Sequence, residues 1–318
     1  MSSIAILDLG TNTFQLLIAN IIDNKPVLLF EESIAVKLAE GGIEKGYISE
    51  AAFDRGLAAV KQFKKSTDQY QVKLVRAAAT SALRSASNGA EFLEKIRSET
   101  GIVPEIISGE REAELIYQGV RAAINIGDEK CLIIDIGGGS VEFIICDQEE
   151  VFWKRSYDIG AARLMEQFHH SDPISKPDIN KLNLYLESTL SELKNQVEIY
   201  KPELLIGSAG AFETFATLID PQFKASFTNP EIKIELSDFA GVSELILKSS
   251  HAERSSNPAI IPVRVDMIVM ATLITKYLMN QFAFKALKLS TYSLKEGLLF
   301  EFIKNRNSNY SDNLHSSE

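Results

Sequence analysis

The chain has 318 residues, enough for two domains of the usual ~100–200 residues each. Hydrophobic residues at 45% and charged residues at 24% are the proportions of a folded chain, which excludes an intrinsically disordered protein. A net charge of −10 argues against a broad nucleic-acid-binding face, because neutralising a phosphate backbone takes clustered Lys and Arg, yet leaves room for a local anion pocket.

The first elements read as a strand pair, "IAILDLG" and "FQLLIANII", around a polar turn at Thr11, Asn12 and Thr13. A third strand, "PVLLFEESIAVKL", follows Asp23-Asn24. Ser49 is placed to cap a helix whose apolar Phe53, Leu57, Val60 and Phe63 recur at helical spacing. Strand "VKLVRAAAT", a polar loop around "SALRSASN", a helix from about Gly89 to Gly101, short strand "VPEIISG" and helix "EREAELIYQGVRAAI" complete a first half. The strand–turn–strand opening then recurs as "CLIIDIGGGSVEFIICD". "KPDINKLNLYLESTLSELKNQVEIYKP" reads as one long amphipathic helix, with Leu182, Leu186, Leu190, Leu193 and Val197 on one face, Pro177 in its first turn and Pro202 past its end. Strand, small-residue loop and helix follow in "PELLIGSAGAFETFATLI", then a buried helix in "VRVDMIVMATLITKYLMNQF", strand "FKALKLS" and a final helix "SLKEGLLFEFIKN". The tail from about Asn307 is polar and expected to be loose.

The repeat predicts two similar α/β domains, 1–124 and 125–318, facing a shared cleft, with the final helix at about 293–305 packing back on the first. The N-terminus has no signal-type segment, and no apolar run approaches the ~20 residues of a membrane span, so a cytoplasmic protein without membrane contact is expected. Cys131 and Cys146 are too few for a disulfide framework or a four-thiolate zinc site and read as small buried hydrophobes.

The two turns carry the chemistry. "AILDLGTNTFQLLIA" aligns without a gap on "IIDIGGGSVEFII": Asp8 on Asp135, Gly10 on Gly137, Thr13 on Ser140, Gln15 on Glu142. Gly137, Gly138 and Gly139 before Ser140 exceed the needs of a tight hairpin, whereas bare backbone amides can converge on a phosphate. The loop lacks the GK[ST] ending of the strand–loop–helix phosphate site. Asp135 ends one strand and Glu142 opens the next, so both carboxylates should flank the turn, with Asp8 in the same place in the first half. Two charges 5 Å apart repel by about 3 kcal/mol at an effective dielectric of about 20. A hard divalent cation between carboxylates and phosphate removes that conflict. Mg²⁺, which takes one or two carboxylates plus phosphates and waters, is the expected metal.

The segments "DLGTNTFQLLI", "AAATSALRSASN", "SGEREAELIYQGV", "IIDIGGGSVEFI", "DIGAARLMEQF", "RVDMI" and "LSTYSLKEGLL" occur in the order found in exopolyphosphatases and guanosine pentaphosphate phosphohydrolases, which the chain resembles from about residue 4 to 302. The resemblance implies the actin-like ATPase superfamily fold, two ribonuclease-H-like domains flanking an active-site cleft. It also implies Mg²⁺-dependent hydrolysis of the terminal phosphoanhydride of polyphosphate or of pppGpp. By that resemblance Glu112 is the catalytic base. Asp135 and Glu142 position metal and water, with Asp8 as a further metal-side acid. Gly137, Gly138, Gly139 and Ser140 form one phosphate loop, Gly10, Thr11, Asn12 and Thr13 the other, and Arg84 contacts phosphate. Arg111 departs from the family pattern, standing where an acid precedes the base. Homodimerisation is a family habit that the sequence itself does not display.

Beside the resemblance, Glu112 alone is an acid in a first helical turn, a placement common for dipole reasons, and Arg84 alone is a loop cation. His169, His170 and His251 lack a second ligand at a metal spacing and read as surface or loop residues. Arg264 and Asp266 read equally as a helix-start salt bridge or as cleft residues. Ala209 and Ala211 in "GSAGAF" depart from the Gly/Ser/Thr pattern of a superfamily nucleotide loop. Two rival functions remain at this stage: a sugar- or acetate-type kinase of the same superfamily, and a non-catalytic sensor of a phosphorylated nucleotide.

Overall fold

The structure is a computed structural model and describes residues 2–42, 45–208 and 210–315. The chain divides into two compact units. One takes the chain up to Ala122 and again from Ser293, and the other is Ala123–Tyr292.

The first unit is built on β1 (Ser2–Leu9), β2 (Thr13–Ile22), β3 (Lys25–Ala35), β4 (Leu74–Ala79) and β5 (Glu105–Ile106), in the order β3-β2-β1-β4-β5. β1, β2 and β3 are antiparallel neighbours, while β4 runs parallel to both β1 and β5. The β2–β3 turn holds Asp23 at φ 48° and Asn24 at φ 60°, two positive values that suit Asp and Asn in a primed hairpin turn. Helices α1 (Glu50–Gln69), α2 (Ser81–Ser85), α3 (Gly89–Thr100) and α4 (Gly109–Ala123) complete the first pass. α3 stops because Gly101 takes the left-handed conformation, φ 71°, that a Cβ disfavours. One face of the sheet, with Leu7, Leu9, Phe14 and Leu16, packs on Val60 and Phe63 of α1 and Phe92 of α3.

The second unit repeats the plan. Its strands are β6 (Cys131–Ile136), β7 (Val141–Cys146), β8 (Val151–Tyr157), β9 (Leu204–Ser208), β10 (Glu231–Ile234) and β11 (Ala286–Ser290), ordered β10-β11-β9-β6-β7-β8. Read from β8 inward, this is the first unit's order with β10 added antiparallel at the far edge. Three antiparallel strands continued by parallel ones, twice over, is the ribonuclease-H-like plan. Helices α5 (Ala161–Phe168), α6 (Lys176–Thr189), α7 (Ser191–Tyr200), α8 (Gly210–Ile219), α9 (Leu236–Lys248), α10 (His251–Ser256) and α11 (Ile268–Gln281) surround the sheet, with a short 3₁₀ turn at Pro262–Arg264. β6 and β7 are buried on both faces and so read as continuous apolar runs rather than an alternation. Leu132, Ile134, Val141, Phe143 and Ile145 face the main core. Cys131 and Cys146 lie opposite each other on the other face, both free thiols and fully buried, with Sγ atoms 3.5 Å apart. The chain then returns to the first unit as α12 (Leu294–His315), which lies against β1.

Several expectations need correction. Ser49 sits at the N-cap of α1, but its hydroxyl donates to the Glu40 carbonyl (3.0 Å) and does not cap the helix. The "SALRSASN" stretch begins with the single-turn α2. The long amphipathic helix breaks at Leu190 into α6 and α7, although its apolar face stays continuous and buried. The chain beyond Asn307 continues as α12 helix to His315. Strands β8 and β10 gave no clear periodic signal. No helix among the described residues is long and apolar enough to cross a membrane.

Candidate active site

In the second unit the register of β6 and β7 places Asp135 directly opposite Glu142, so both side chains leave the same face of the sheet. The row extends sideways: Asp135 faces Ser208 of β9, and Glu142 faces Ser156 of β8. Each serine hydroxyl donates to its neighbouring acid, Ser208 to Asp135 Oδ2 and Ser156 to Glu142 Oε1, both at 2.6 Å. Asp135 is 8% exposed and Glu142 1%, so these carboxylates are held in a largely dry place. The row Ser156–Glu142–Asp135–Ser208 is a set of hard oxygen atoms fixed by rigid strands. Among the described residues, no cluster of three or more His, Cys, Asp or Glu forms a metal cage. Two carboxylates are the smaller set that Mg²⁺ takes when phosphate and water complete its shell, so the donor chemistry of this row fits that ion.

The glycine turn beside this row is closed by the Gly137 amide donating to the Ser140 carbonyl at 3.0 Å. Its carbonyls are anchored by the start of α5. Gly137 accepts from Ala161 N–H (2.9 Å), Gly138 from Ala162 N–H (3.0 Å), and Gly139 from both Gly160 N–H (3.3 Å) and Arg163 Nε (2.9 Å). In a planar trans peptide the N–H points opposite to the C=O. The amides of Gly138, Gly139 and Ser140 are therefore aimed away from α5, as an anion-binding concavity requires. Gly160 has to be glycine for this contact, since a Cβ there would lie 2.4 Å from the backbone of Gly138 and Gly139.

The first unit carries the same device in another chemistry. Asp8 pairs in register with Gln15, and its parallel neighbour is Ala78. Gly10 matches Gly137 closely: an added Cβ would lie 2.9 Å from the Thr13 carbonyl, against 3.0 Å from the Ser140 carbonyl at Gly137. The carbonyl of Asn12 accepts from Val36 and Lys37 (2.8 and 3.0 Å) and that of Thr11 from Leu38 (2.8 Å). The same peptide geometry turns the Asn12 and Thr13 amides the other way. Asp8 is half-buried and shares its row with an amide, a poorer cation set than the acid pair of the second unit.

Arg84 and Glu112, both in the first unit, come together. Arg84, in α2, donates from Nη1 to Glu112 Oε2 (3.0 Å) and to the Ile107 carbonyl (2.9 Å). Glu112 lies in the first turn of α4 and is 8% exposed, while Ser108 Oγ accepts from the Arg111 amide at the helix start (3.1 Å). A carboxylate held out of water beside one fixed guanidinium can accept a proton from a bound water, and the same cation can face a phosphate. Arg111 does not crowd this pair. Its guanidinium is bonded to the carboxylate of Glu301 on α12.

Some candidates resolve differently. Arg264 pairs with Glu213 (2.8 Å) and Thr214 (3.1 Å) at the start of α8, and Asp266 with His251 (3.0 Å). His169 is a half-buried loop residue at the end of α5. Ala209 lies outside the described residues. The residues that sequence reasoning missed are Ser156, Gly160, Arg163 and Glu301. Ser208 sat unremarked inside the quoted "IGSAGAF" loop, and "DIGAAR" held Gly160 and Arg163 without any pattern to say what they touch.

The Ppx/GppA phosphatase family matches residues 17–306, nearly the whole chain. The chain belongs to that family. It is similar to a crystal structure of an exopolyphosphatase from Cytophaga hutchinsonii, at 37% identity and a TM-score of 0.93, covering 96% of this chain and 98% of that one. It is 27% identical over 301 residues to exopolyphosphatase 1 of Mycobacterium tuberculosis, covering 93% of this chain and 87% of the relative. It is also 29% identical over 322 residues to a bifunctional 3-dehydroquinate synthase/phosphatase of Fusobacterium nucleatum, of which it spans 47%. The family match begins at residue 17, so the Asp8–Thr13 turn is carried by its geometry and not by that match.

Proposed function

We propose that this family member is a Mg²⁺-dependent hydrolase that releases the terminal phosphate of inorganic polyphosphate, of pppGpp, or of both. Family membership supports the hydrolase class and polyphosphate as substrate. The observation that carries the reading is the row Ser156–Glu142–Asp135–Ser208 beside a turn whose amides are aimed away from α5.

Asp135 and Glu142 would hold Mg²⁺, which supplies charge neutralisation on phosphate oxygens and a hard centre for water. The amides of Gly138, Gly139 and Ser140 hold phosphate oxygens, with Gly137 setting the turn. Asn12 and Thr13 offer the matching amides in the first unit, where Gly10 and Thr11 shape the loop. Glu112 accepts a proton as the water oxygen bonds to the terminal phosphorus and the bridging P–O bond breaks toward the shortened chain. Arg84 aims Glu112 through its Nη1–Oε2 bond and faces a phosphate with the same guanidinium. Such a transition state asks for positioning and charge neutralisation rather than a covalent nucleophile.

The test is phosphate release from tripolyphosphate, long-chain polyphosphate and pppGpp, each with Mg²⁺ and with chelator. Release from a polyphosphate that chelator abolishes, and that Glu112→Gln lowers by about 10²-fold or more, is the expected result. Binding of all three substrates with no release would replace the hydrolase by a sensor.

A further inference from the structure

α4 and α12 meet backbone to backbone. A Cβ on Gly119 would lie 2.1 Å from the Ser293 carbonyl oxygen, and one on Gly297 would lie 1.9 Å from the Leu115 carbonyl oxygen. Arg111, Leu115 and Gly119 are spaced i, i+4, i+8 and share one stripe of α4. Ser293, Gly297 and Glu301 have the same spacing, running the opposite way. The contacts therefore pair Gly119 with Ser293, Leu115 with Gly297, and Arg111 with Glu301. Close approach through glycine fixes the separation of the two helices at one end of the stripe. At the other end the Arg111–Glu301 ion pair ties the first turn of α4 to α12, while the Arg84–Glu112 bond holds the same turn from α2. Glu112 is the next residue, about 100° around the helix from that stripe. Any roll of the first turn therefore swings Glu112 directly.

We propose that Arg111 and Glu301 are positioning residues for Glu112: their ion pair stops the first turn of α4 from rolling and so fixes the aim of the base. The inference rests on the reading of Glu112 as general base. It gives a physical role to the departure at position 111, because the cation finds its counter-charge on α12 rather than crowding the base. The pair is partly exposed, at 39% and 28% for the two side chains, so little stability is expected from it. Its effect is geometric, and a misplacement of about 1 Å at a reacting group can cost about 10²-fold in rate.

The experiment compares Arg111→Glu, Glu301→Arg and the double charge swap, with tripolyphosphate hydrolysis measured per folded molecule well below each melting temperature. The expected result is a loss of about 10-fold in kcat for each single variant, with KM within about two-fold, and recovery to within about three-fold in the swap. Glu301→Arg placed in a Glu112→Gln background should lower the residual rate no further, because the pair acts through the base. A merely structural clamp would lower melting temperature and leave kcat per folded molecule intact, and that outcome overturns the inference. So does a swap that folds yet stays as slow as the single variants. If instead Glu112→Gln itself leaves turnover unchanged, the general-base reading fails first, and the two failures are told apart.

Discussion

The two turns are one scaffold carrying two chemistries. In both, an acid is the penultimate residue of the first strand, the glycine two residues on has its Cβ position filled by the carbonyl three residues further, and later amides anchor the turn's carbonyls. The difference lies in the row across the sheet. The second unit presents Ser156, Glu142, Asp135 and Ser208, while the first presents Ser33, Gln15, Asp8 and Ala78 at the corresponding places. One row therefore has two acids with a hydroxyl on each, and the other a single acid beside an amide. Two facing carboxylates about 5 Å apart ask for a cation, whereas an Asp–Gln pair is satisfied by hydrogen bonds. The lesson is that a duplicated turn can keep its backbone while the row beside it changes from two acids to one acid and an amide.

The most damaging way to break this comparison is to make the second row resemble the first. Glu142→Gln should lower Mg²⁺-dependent phosphate release by 10²-fold or more, the scale seen when one electrostatic partner of a transition state is removed. A Mg²⁺ titration of activity checks it. The reverse change, Gln15→Glu, should leave the metal requirement where it is and raise KM for tripolyphosphate, because a second carboxylate then stands beside an anion-holding turn. Equal losses of metal dependence from both variants would mean that the rows do not differ as described.

The braces behind the turns come next in size. The second turn is anchored by the N-terminus of a helix, and the first by residues 36–38, where Lys37 adopts φ 44°, an uncommon conformation for a residue with a long side chain. Gly160→Ala forces a methyl to 2.4 Å from the turn's backbone and must push α5 away. A destabilisation of about 1–3 kcal/mol is expected, together with a larger loss of activity than Gly10→Ala or Gly137→Ala, whose added methyls meet a single carbonyl at 2.9 and 3.0 Å. Denaturant unfolding read alongside turnover decides it.

A smaller effect is expected at Ser208, where Ala reproduces the first row's Ala78. Asp135 then loses a hydroxyl donor at 2.6 Å, an interaction with a charged partner usually worth about 1.5–3 kcal/mol. Since water can replace the lost donor, the predicted result is a loss of about ten-fold in kcat and a weaker apparent Mg²⁺ affinity. An unchanged Mg²⁺ titration would remove Ser208 from the cation site.

Much of this was legible before any coordinates, and the reasons are physical. Strand pairs with their turns are local, so the Asp8–Gln15 and Asp135–Glu142 alignments already implied facing residues. The acid pair followed from the one-to-one register of a hairpin. What stayed hidden was set by partners distant in sequence. Ser156 needed the β7–β8 pairing, and β8, reading "VFWKRSY", has no alternation to announce it. Arg163 and Gly160 needed the seat of α5 on the turn. Glu301 needed a contact across 190 positions of chain. The break at Leu190 was invisible because the apolar spacing runs through it unbroken. The family was readable from ordered motifs, whereas charge pairs such as Arg111–Glu301 are chosen by packing.

The smallest effect separates the braces by pH. His169 caps the C-terminus of α5, its amide donating to the Met165 carbonyl at 3.0 Å, and among the described residues its buried Nε2 has no hydrogen-bond partner. Burial first, and then the Arg254 charge, hold its pKa below the usual histidine value, against the opposing pull of Asp172, Asp178 and Asp266. The unfolded chain therefore takes up the proton more readily than the folded one, and stability rises with pH. His169's contribution is whole above the unfolded value of about 6.5 and falls away as the pH drops from there through the lowered folded value. The first turn is braced by residues 36–38, a segment without histidine. Hydrogen exchange at pH 7.5 and 5.5 should therefore show the amides of 137–140 and 160–163 losing protection on acidification before those of 10–13. His169→Gln, which cannot take up a proton, should bring the two turns level; equal acid sensitivity in the unmodified protein would show that α5 adds no pH dependence to the turn it holds.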